Sequence, residues 1–221
     1  MDIEILILEY VLLVSGILLA LFIDKLNEKR RHKNRIHSIM NIVIQNMKKD
    51  IEKVKEKIKE IDRDNKLYNK FYESRNKTGE EINDLLIKAH GLAVSVGTLF
   101  SVSDRGYHLL KDARVDFEFK DSTLISEIVH YYNRAIPWID QDQKEQIKEA
   151  QKNIRHQSKF SWFQDFDVTN NDLLEYLKSE DHQQRCMYMN WLKTTILKRD
   201  LSMYKSHLED FLERINQSDY K

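Results

Sequence analysis

The chain has 221 residues, enough for one domain of ordinary size with an appendage. Its 36 basic and 36 acidic residues cancel, which excludes a global electrostatic attraction to nucleic acid. The single cysteine, Cys186, excludes an internal disulfide and a cysteine-rich zinc site, and it fits a reducing compartment. With only 5 Gly and 1 Pro among many helix formers, the composition predicts an all-α protein.

An apolar segment near the N-terminus has the length of a membrane span. Residues 10–23 carry no charge, and the nineteen residues 5–23 carry one, that of Glu9. Nineteen helical residues reach roughly 28 Å, close to the thickness of the hydrocarbon core. A signal peptide would begin with basic residues, whereas this chain begins with acidic ones. We therefore predict an uncleaved transmembrane helix over residues 1–26.

A basic segment follows the apolar one. Residues 25–35 contain six Lys and Arg side chains against one acid, Glu28. The positive-inside rule places this end in the cytoplasm and the N-terminus outside. Basic side chains beside a bilayer also favour contact with anionic lipid, and alternatively with a nucleotide or nucleic acid. The predicted contact residues, here called the basic collar, are Lys29, Arg30, Arg31, Lys33 and Arg35.

One face of the predicted span carries small and polar residues. Gly16 and Ala20 form a small-xxx-small pair that allows two helices to approach closely. An acid inside a membrane is costly and is a functional candidate. Two interpretations remain open: Glu9 lies among the lipid headgroups beside a packed dimer, or several copies associate and Glu9 lines or guards a pore. The predicted packing or pore residues are Glu9, Gly16, Ala20, Asp24 and Asn27.

The helix is predicted to continue far beyond the membrane, over about residues 5–73. No Gly or Pro occurs between Ile17 and Asn76, and apolar residues recur at spacings of three and four. This apolar stripe is typical of a coiled coil, and it packs either on other copies or on helices of the same chain. Its members are Ile36, Met40, Val43, Met47, Ile51, Val54, Ile58, Ile61, Tyr68 and Tyr72. The predicted organisation is a transmembrane helix over 1–26, a long basic, coiled-coil-like helix over 27–76, and a cytoplasmic helical domain over 77–221.

Capping and breaker residues divide the cytoplasmic domain into helices. One helix is predicted to end near Val94, and Ser103 caps a shorter one. Pro137 is predicted to kink or end the helix that follows. The last long helix is predicted over residues 181–216. The remaining predicted boundaries are a capping box at Thr78 and Glu81, an extended or turn-like stretch at 117–122, and a short helix from Asn170 or Asn171.

An aromatic stretch, FSWFQDFDVTN at residues 160–170, is predicted to be a loop. Aromatic rings beside basic side chains can stack a nucleobase, and such a loop can equally close the core of a bundle. The candidate ligand residues are Arg155, His156, Lys159 and Trp162.

No catalytic motif stands out. The eight histidines are scattered without a His-x-x-x-His pair, and neither a phosphate-binding glycine loop nor a Gly-x-Ser-x-Gly elbow occurs. Arg31 and His37 have the spacing of HEPN-type helical ribonucleases, but the same residues are expected beside a membrane for topology. We therefore predict a protein that is not an enzyme and that has no cofactor or metal.

The N-terminal residues LLVSGILLALFIDKLNEKRRHKNR resemble the start of a family of small single-span proteins from Bacteroidota, known only as a domain of unknown function. Leu26 stands where that family has Trp, and residues 103–133 show a second, weaker similarity. The resemblance implies a membrane-anchored helical protein and brings no activity with it. The residues that match the family pattern are Gly16, Ile17, Leu18, Ala20, Leu21, Ile23, Asn27, Glu28 and Arg30.

The predicted architecture is also similar to that of small membrane effectors of bacterial anti-phage systems, which join a short span to a helical cytoplasmic sensor. The first functional hypothesis is a homo-oligomeric inner-membrane effector that forms a gated pore or disrupts the membrane. The alternative is a passive anchored scaffold that docks a partner protein, and the third is a membrane-tethered ribonuclease. The partners implied are membrane lipid, further copies of the chain, and a nucleotide, nucleic acid or protein as trigger.

Overall fold

The computed structural model describes residues 3–74, 80–95, 97, 99–114, 122–163 and 171–217. Within these ranges all regular secondary structure is helical, as the composition predicts. The elements are α1 (Ile3–Ser74), α2 (Glu80–Val94), α3 (Arg105–Arg114), α4 (Ser122–Gln157), a 3-10 turn (Ser161–Phe163), α5 (Asn171–Lys178), α6 (Glu180–Trp191), a π-helical segment (Leu192–Leu197) and α7 (Lys198–Gln217).

Helix α1 is a single α-helix of 72 residues, which confirms the predicted continuous helix. Residues 10–35, here called the exposed arm, have exposed side chains apart from the half-buried Val14 and from His32, whose side chain is not described. From Ile36 onward one face of α1 is buried. Along one half α1 therefore packs against the other described helices, which are here together called the bundle, and along the other half it is exposed.

The apolar stripe packs on helices of the same chain. It contacts α2, α3, α6 and α7, and nearly all of its members are buried, although Tyr72 at its end is exposed. Polar contacts show that α6 and α7 run antiparallel to α1. The Asn190 amide donates to Asn65 at 2.9 Å, Lys193 contacts Asp64, and the Tyr204 hydroxyl further along donates to Asp50. Asn65, a polar residue within the stripe, thus helps to fix the register of this packing.

The buried side chains form two clusters along α1. The first combines residues 36–61 of α1 with α3, the first half of α4 and α7. The second surrounds Tyr68 and Phe71 and includes Trp162 together with residues of α2 and α5. The aromatic stretch therefore contributes to a core, as one of its two predicted interpretations requires.

Helix α4 passes through Pro137 without ending there, so the possibility of a helix end at this proline is wrong. Proline costs the helix one backbone hydrogen bond. Buried Ala135 and Ile139 on either side hold both halves of α4 against the core, and this packing offsets the loss. The predicted capping box at Thr78 and residues 117–121 lie outside the described residues, whereas the predicted short helix begins at Asn171.

Candidate functional site: the exposed arm, its collar and the bundle

The exposed arm presents an apolar surface that no described part of the chain covers. Among the described residues, α1 is the one helix long and apolar enough to cross a membrane, with a mean hydropathy of 1.7 over its most apolar window. None of that window is buried. The core helix of a soluble protein would be mostly buried, and this segment is not, so its length, composition and exposure suit a membrane span.

The predicted packing residues lie on this arm. Gly16, Ala20, Asp24 and Asn27 are all exposed, while the side chain of Glu9 lies outside the described residues. A Cβ atom added at Gly16 would meet nothing within 4 Å. The face is therefore free to receive a helix from outside the described chain.

The basic collar lies between the apolar part of the arm and the bundle. All five of its side chains are exposed, and none forms an ion pair with another described residue. Ten residues, or roughly 15 Å of helix, separate Leu26 from Ile36, the first buried residue. This spacing leaves the five collar side chains uncovered by the other described helices.

The ribonuclease pair is not assembled within this helix. Arg31 is exposed and His37 is half-buried on α1. Six residues along an α-helix rotate the side-chain direction by about 240°, so the two side chains leave the helix on different faces. Within one copy they do not converge on a common point.

The residues of the predicted ligand loop are only partly brought together. His156 and Trp162 line an open surface pocket of about 590 Å³, here called the α5 pocket. Arg155 and Lys159 are exposed and are not among its lining residues. The pocket also includes Phe160 of the predicted aromatic loop, together with four residues that sequence reasoning missed, namely Tyr176, Asp172, Glu175 and Asp181. The i, i+3 spacing of the two α5 acids indicates one polar helix face, but the sequence does not show what that face meets.

Sequence reasoning also missed a buried carboxylate within the apolar stripe. Asp50 is fully buried and accepts hydrogen bonds from the Tyr204 hydroxyl and the Ser103 backbone N–H, both at 2.8 Å. Lys53 Nζ lies 3.2 Å from its other oxygen. Its position in the sequence could have indicated it, because Asp50 lies three residues after Met47 and four before Val54. At that position the three-four spacing of the stripe predicts an apolar residue. Asp50 thus connects α1 with α7 and with the segment that precedes α3.

A second acidic contact joins α4 to α7. Asp200 is 4% exposed and its Oδ1 accepts from Arg199 Nε at 2.6 Å, while the carboxyl group of Asp142 lies against it. Burial, followed by the hydrogen bond to Asp200 and its charge, raises the pKa of Asp142 to about 7. The pKa of His182 on α6 shifts in the opposite direction, because burial and then the charge of His90 lower it to about 3.

We expect Asp142→Asn to weaken the pH dependence of bundle stability. A raised pKa means that the folded state binds the proton more tightly, so stability from Asp142 is present below about pH 4 and lost as the pH rises toward 7. The amide of asparagine keeps a donor facing Asp200 at every pH. At pH 8 the variant should gain about 1 kcal/mol, after allowance for solvent screening.

The measurement is guanidinium unfolding of the full chain in mild detergent at pH 5 and pH 8, followed by circular dichroism. Asp140→Asn is the matched control, because Asp140 lies two residues before Asp142 on α4 and is exposed. Equal pH slopes for wild type and Asp142→Asn would show that the carboxyl pair does not titrate in this range.

No protein-family model matches the chain, and comparisons with curated proteins and with solved structures find no similar protein. Among the described residues, no three His, Cys, Asp or Glu side chains are placed to hold a metal ion.

Proposed function

We propose that this protein is a homo-oligomeric effector of the bacterial inner membrane, which forms a gated pore or disrupts the bilayer. The observation that carries the proposal is that the uncovered apolar arm and the packed half of α1 are one uninterrupted helix. Any change in the position of the bundle would then act directly on the span. The proposal assigns no catalytic step and no cofactor.

The proposed topology places the N-terminus outside and the bundle in the cytoplasm. The support is the charge asymmetry, because the basic collar follows the apolar residues on the bundle side. Each exposed basic residue near anionic lipid contributes about 1 kcal/mol of attraction. The collar would thus hold the bundle at a fixed height of roughly 15 Å below the apolar segment.

Mechanical coupling favours an effector over a flexible tether. Between Gly16 and the end of α1 there is neither Gly nor Pro, the residues at which long helices most often bend. The span and the apolar stripe therefore share one helical register. A rotation of the bundle relative to its neighbours would rotate the face that carries Gly16 and Ala20.

The proposed assembly face is the line of small and polar residues on the arm. Gly16 and Ala20 would let spans from different copies approach closely. In that arrangement Glu9, near the outer end, would line or guard a path through the assembly, because acids within membranes are placed facing other helices or water.

A passive scaffold is the second candidate, and one surface favours it. Met187, Tyr188 and Trp191 share a face of α6 and are each at least 45% exposed. The rings of Tyr188 and Trp191 stack at 5.8 Å. Exposed aromatic side chains of this kind are common anchors for a protein partner. The scaffold predicts that function survives replacement of residues 5–23 by an unrelated span.

The test is the mass of the full-length protein in mild detergent beside its Gly16→Leu variant. We expect a discrete oligomer that dissociates on Gly16→Leu, because the larger side chain keeps the helices apart. Ser15→Leu is the matched control, since Ser15 is also exposed but lies about 100° around the helix. Expression of the wild type should depolarise the inner membrane, and Gly16→Leu should abolish this effect. A monomer, or an oligomer indifferent to Gly16, would contradict the proposal and favour the scaffold.

A further inference from the structure

The α5 pocket lies at the end of the bundle farthest along α1 from the exposed arm. Its aromatic wall consists of Phe160, Trp162 and Tyr176, whose ring centroids are 5.0–5.4 Å apart. Trp162 and Tyr176 are buried in the second core cluster, whereas Phe160 is 36% exposed. The wall is therefore fixed by the core and presents one accessible aromatic surface.

The polar side of the pocket is acidic. Three carboxylates line it, Asp172 and Glu175 from α5 and Asp181 from α6. Asp181 is already engaged by Arg185 Nε at 2.9 Å and by His156 Nε2 at 3.0 Å, and these contacts offset its charge. Glu175 is exposed and forms no ion pair with any residue in the described parts of the chain. Glu175 therefore brings to the pocket a negative charge that no ion pair among the described residues offsets.

We propose that the α5 pocket binds a small organic cation, an ammonium or guanidinium group carried on an apolar body. The volume of about 590 Å³ lies within the usual range of small-molecule sites. The aromatic face of Phe160 attracts a cation through its quadrupole, and Glu175 supplies the opposite charge. The site is separate from the exposed arm and does not depend on association of the spans.

The same residues disfavour the nucleotide that the sequence suggested for this region. A nucleotide would bring phosphate charges against Asp172 and Glu175. The bases expected to meet those phosphates, Arg155 and Lys159, are outside the lining. His156, the one base within it, is paired with Asp181.

The experiment uses the full-length protein in mild detergent with Trp138→Phe and Trp191→Phe, so that Trp162 is the only tryptophan. Both replaced residues are exposed, and neither lines the pocket. The probe is phenethylammonium chloride, and the matched probe of opposite charge is sodium phenylacetate. A change in the fluorescence of Trp162 on titration shows that the probe contacts the aromatic wall. Saturation-transfer NMR on the ring protons of each probe measures binding independently.

We expect saturable binding of phenethylammonium and at least tenfold weaker binding of phenylacetate. Glu175→Gln should weaken phenethylammonium about fivefold, the effect of losing ~1 kcal/mol of charge attraction. Glu209→Gln removes the same charge from an exposed site on α7 and should leave binding unchanged. Absence of both signals, equal binding of the two probes, or equal effects of the two glutamine variants would overturn the proposal.

Discussion

Asp50→Ala is expected to lower the free energy of unfolding of the bundle by about 3 kcal/mol or more. Asp50 is fully buried, and its oxygens receive the Tyr204 hydroxyl, the Ser103 N–H and Lys53. Alanine would leave a buried phenol and a backbone donor without their acceptor. Burial also raises the pKa of Tyr204, so its hydroxyl stays protonated and remains a donor that lacks an acceptor in the variant.

The measurement is denaturant unfolding of the full chain in mild detergent, and Glu52→Ala is the matched control. Glu52 lies on the same turn of α1 but is exposed, and its ion-pair partner is Lys55 three residues away. Surface pairs of this kind contribute little to stability, so this variant should remain within about 0.5 kcal/mol of wild type. Equal effects of Asp50→Ala and Glu52→Ala would contradict the role assigned to Asp50.

A double-mutant cycle with Tyr204→Phe tests whether Tyr204 is the main partner of Asp50. If the contact between the Tyr204 hydroxyl and the Asp50 carboxylate accounts for much of the lost stability, the double variant should lower the free energy of unfolding by clearly less than the sum of the two single effects. Strict additivity would show instead that Asp50 acts mainly through Ser103 and Lys53.

The long helix could be predicted from the sequence because its determinants are local. Helix formers without breakers, together with a three-four spacing, are sufficient to indicate one face of α1. They do not identify the surface that this face meets, since a coiled coil between copies and a bundle within one chain require the same pattern. Long-range contacts decided between them, such as the pair of Asn65 with Asn190, 125 residues apart.

Two features of the later helices depend on packing that local patterns do not encode. The sequence offers Pro137 as a helix breaker, yet buried neighbours on both sides keep α4 continuous. The last predicted helix is interrupted by a π-helical segment, Leu192–Leu197, where Lys193 is buried against Asp64 of α1. Lys193 lies in the buried series Met189, Lys193 and Leu197, where the helical spacing predicts an apolar residue, and its pairing with Asp64 could not be predicted from that spacing.

The candidate sites differ in how far the sequence could predict them, because two are contiguous segments and the third combines residues that are distant in sequence. Hydropathy and charge along the chain indicate the exposed arm and the basic collar, because both are contiguous segments. The α5 pocket combines residues from α4, α5, α6 and the 3-10 turn. The basic side chains near Trp162 in sequence are therefore not the ones near it in space, and the carboxylates of α5 take their place.

Gly106→Ala is expected to destabilise the bundle by about 1–3 kcal/mol, although alanine is the better helix former. Gly106 lies at the closest approach of α3 to α1, and its N–H donates to the Asn46 side chain at 3.1 Å. A Cβ at this position would lie 2.8 Å from Val43 Cα and 2.9 Å from Val43 N. Because these are backbone atoms, the two helices would have to move apart.

Gly91→Ala in α2 provides a control of opposite sign. A Cβ at Gly91 meets no atom within 4 Å, so the substitution should stabilise by about 0.5–1 kcal/mol through the lower entropy of the unfolded chain. Both variants are compared with wild type by the same unfolding measurement. Adding Val43→Ala to Gly106→Ala should not restore stability, because it removes the Cγ2 contact and leaves the backbone of α1 in place. Restoration by Val43→Ala would show that side-chain crowding, rather than the close approach of two helix backbones, requires glycine at position 106.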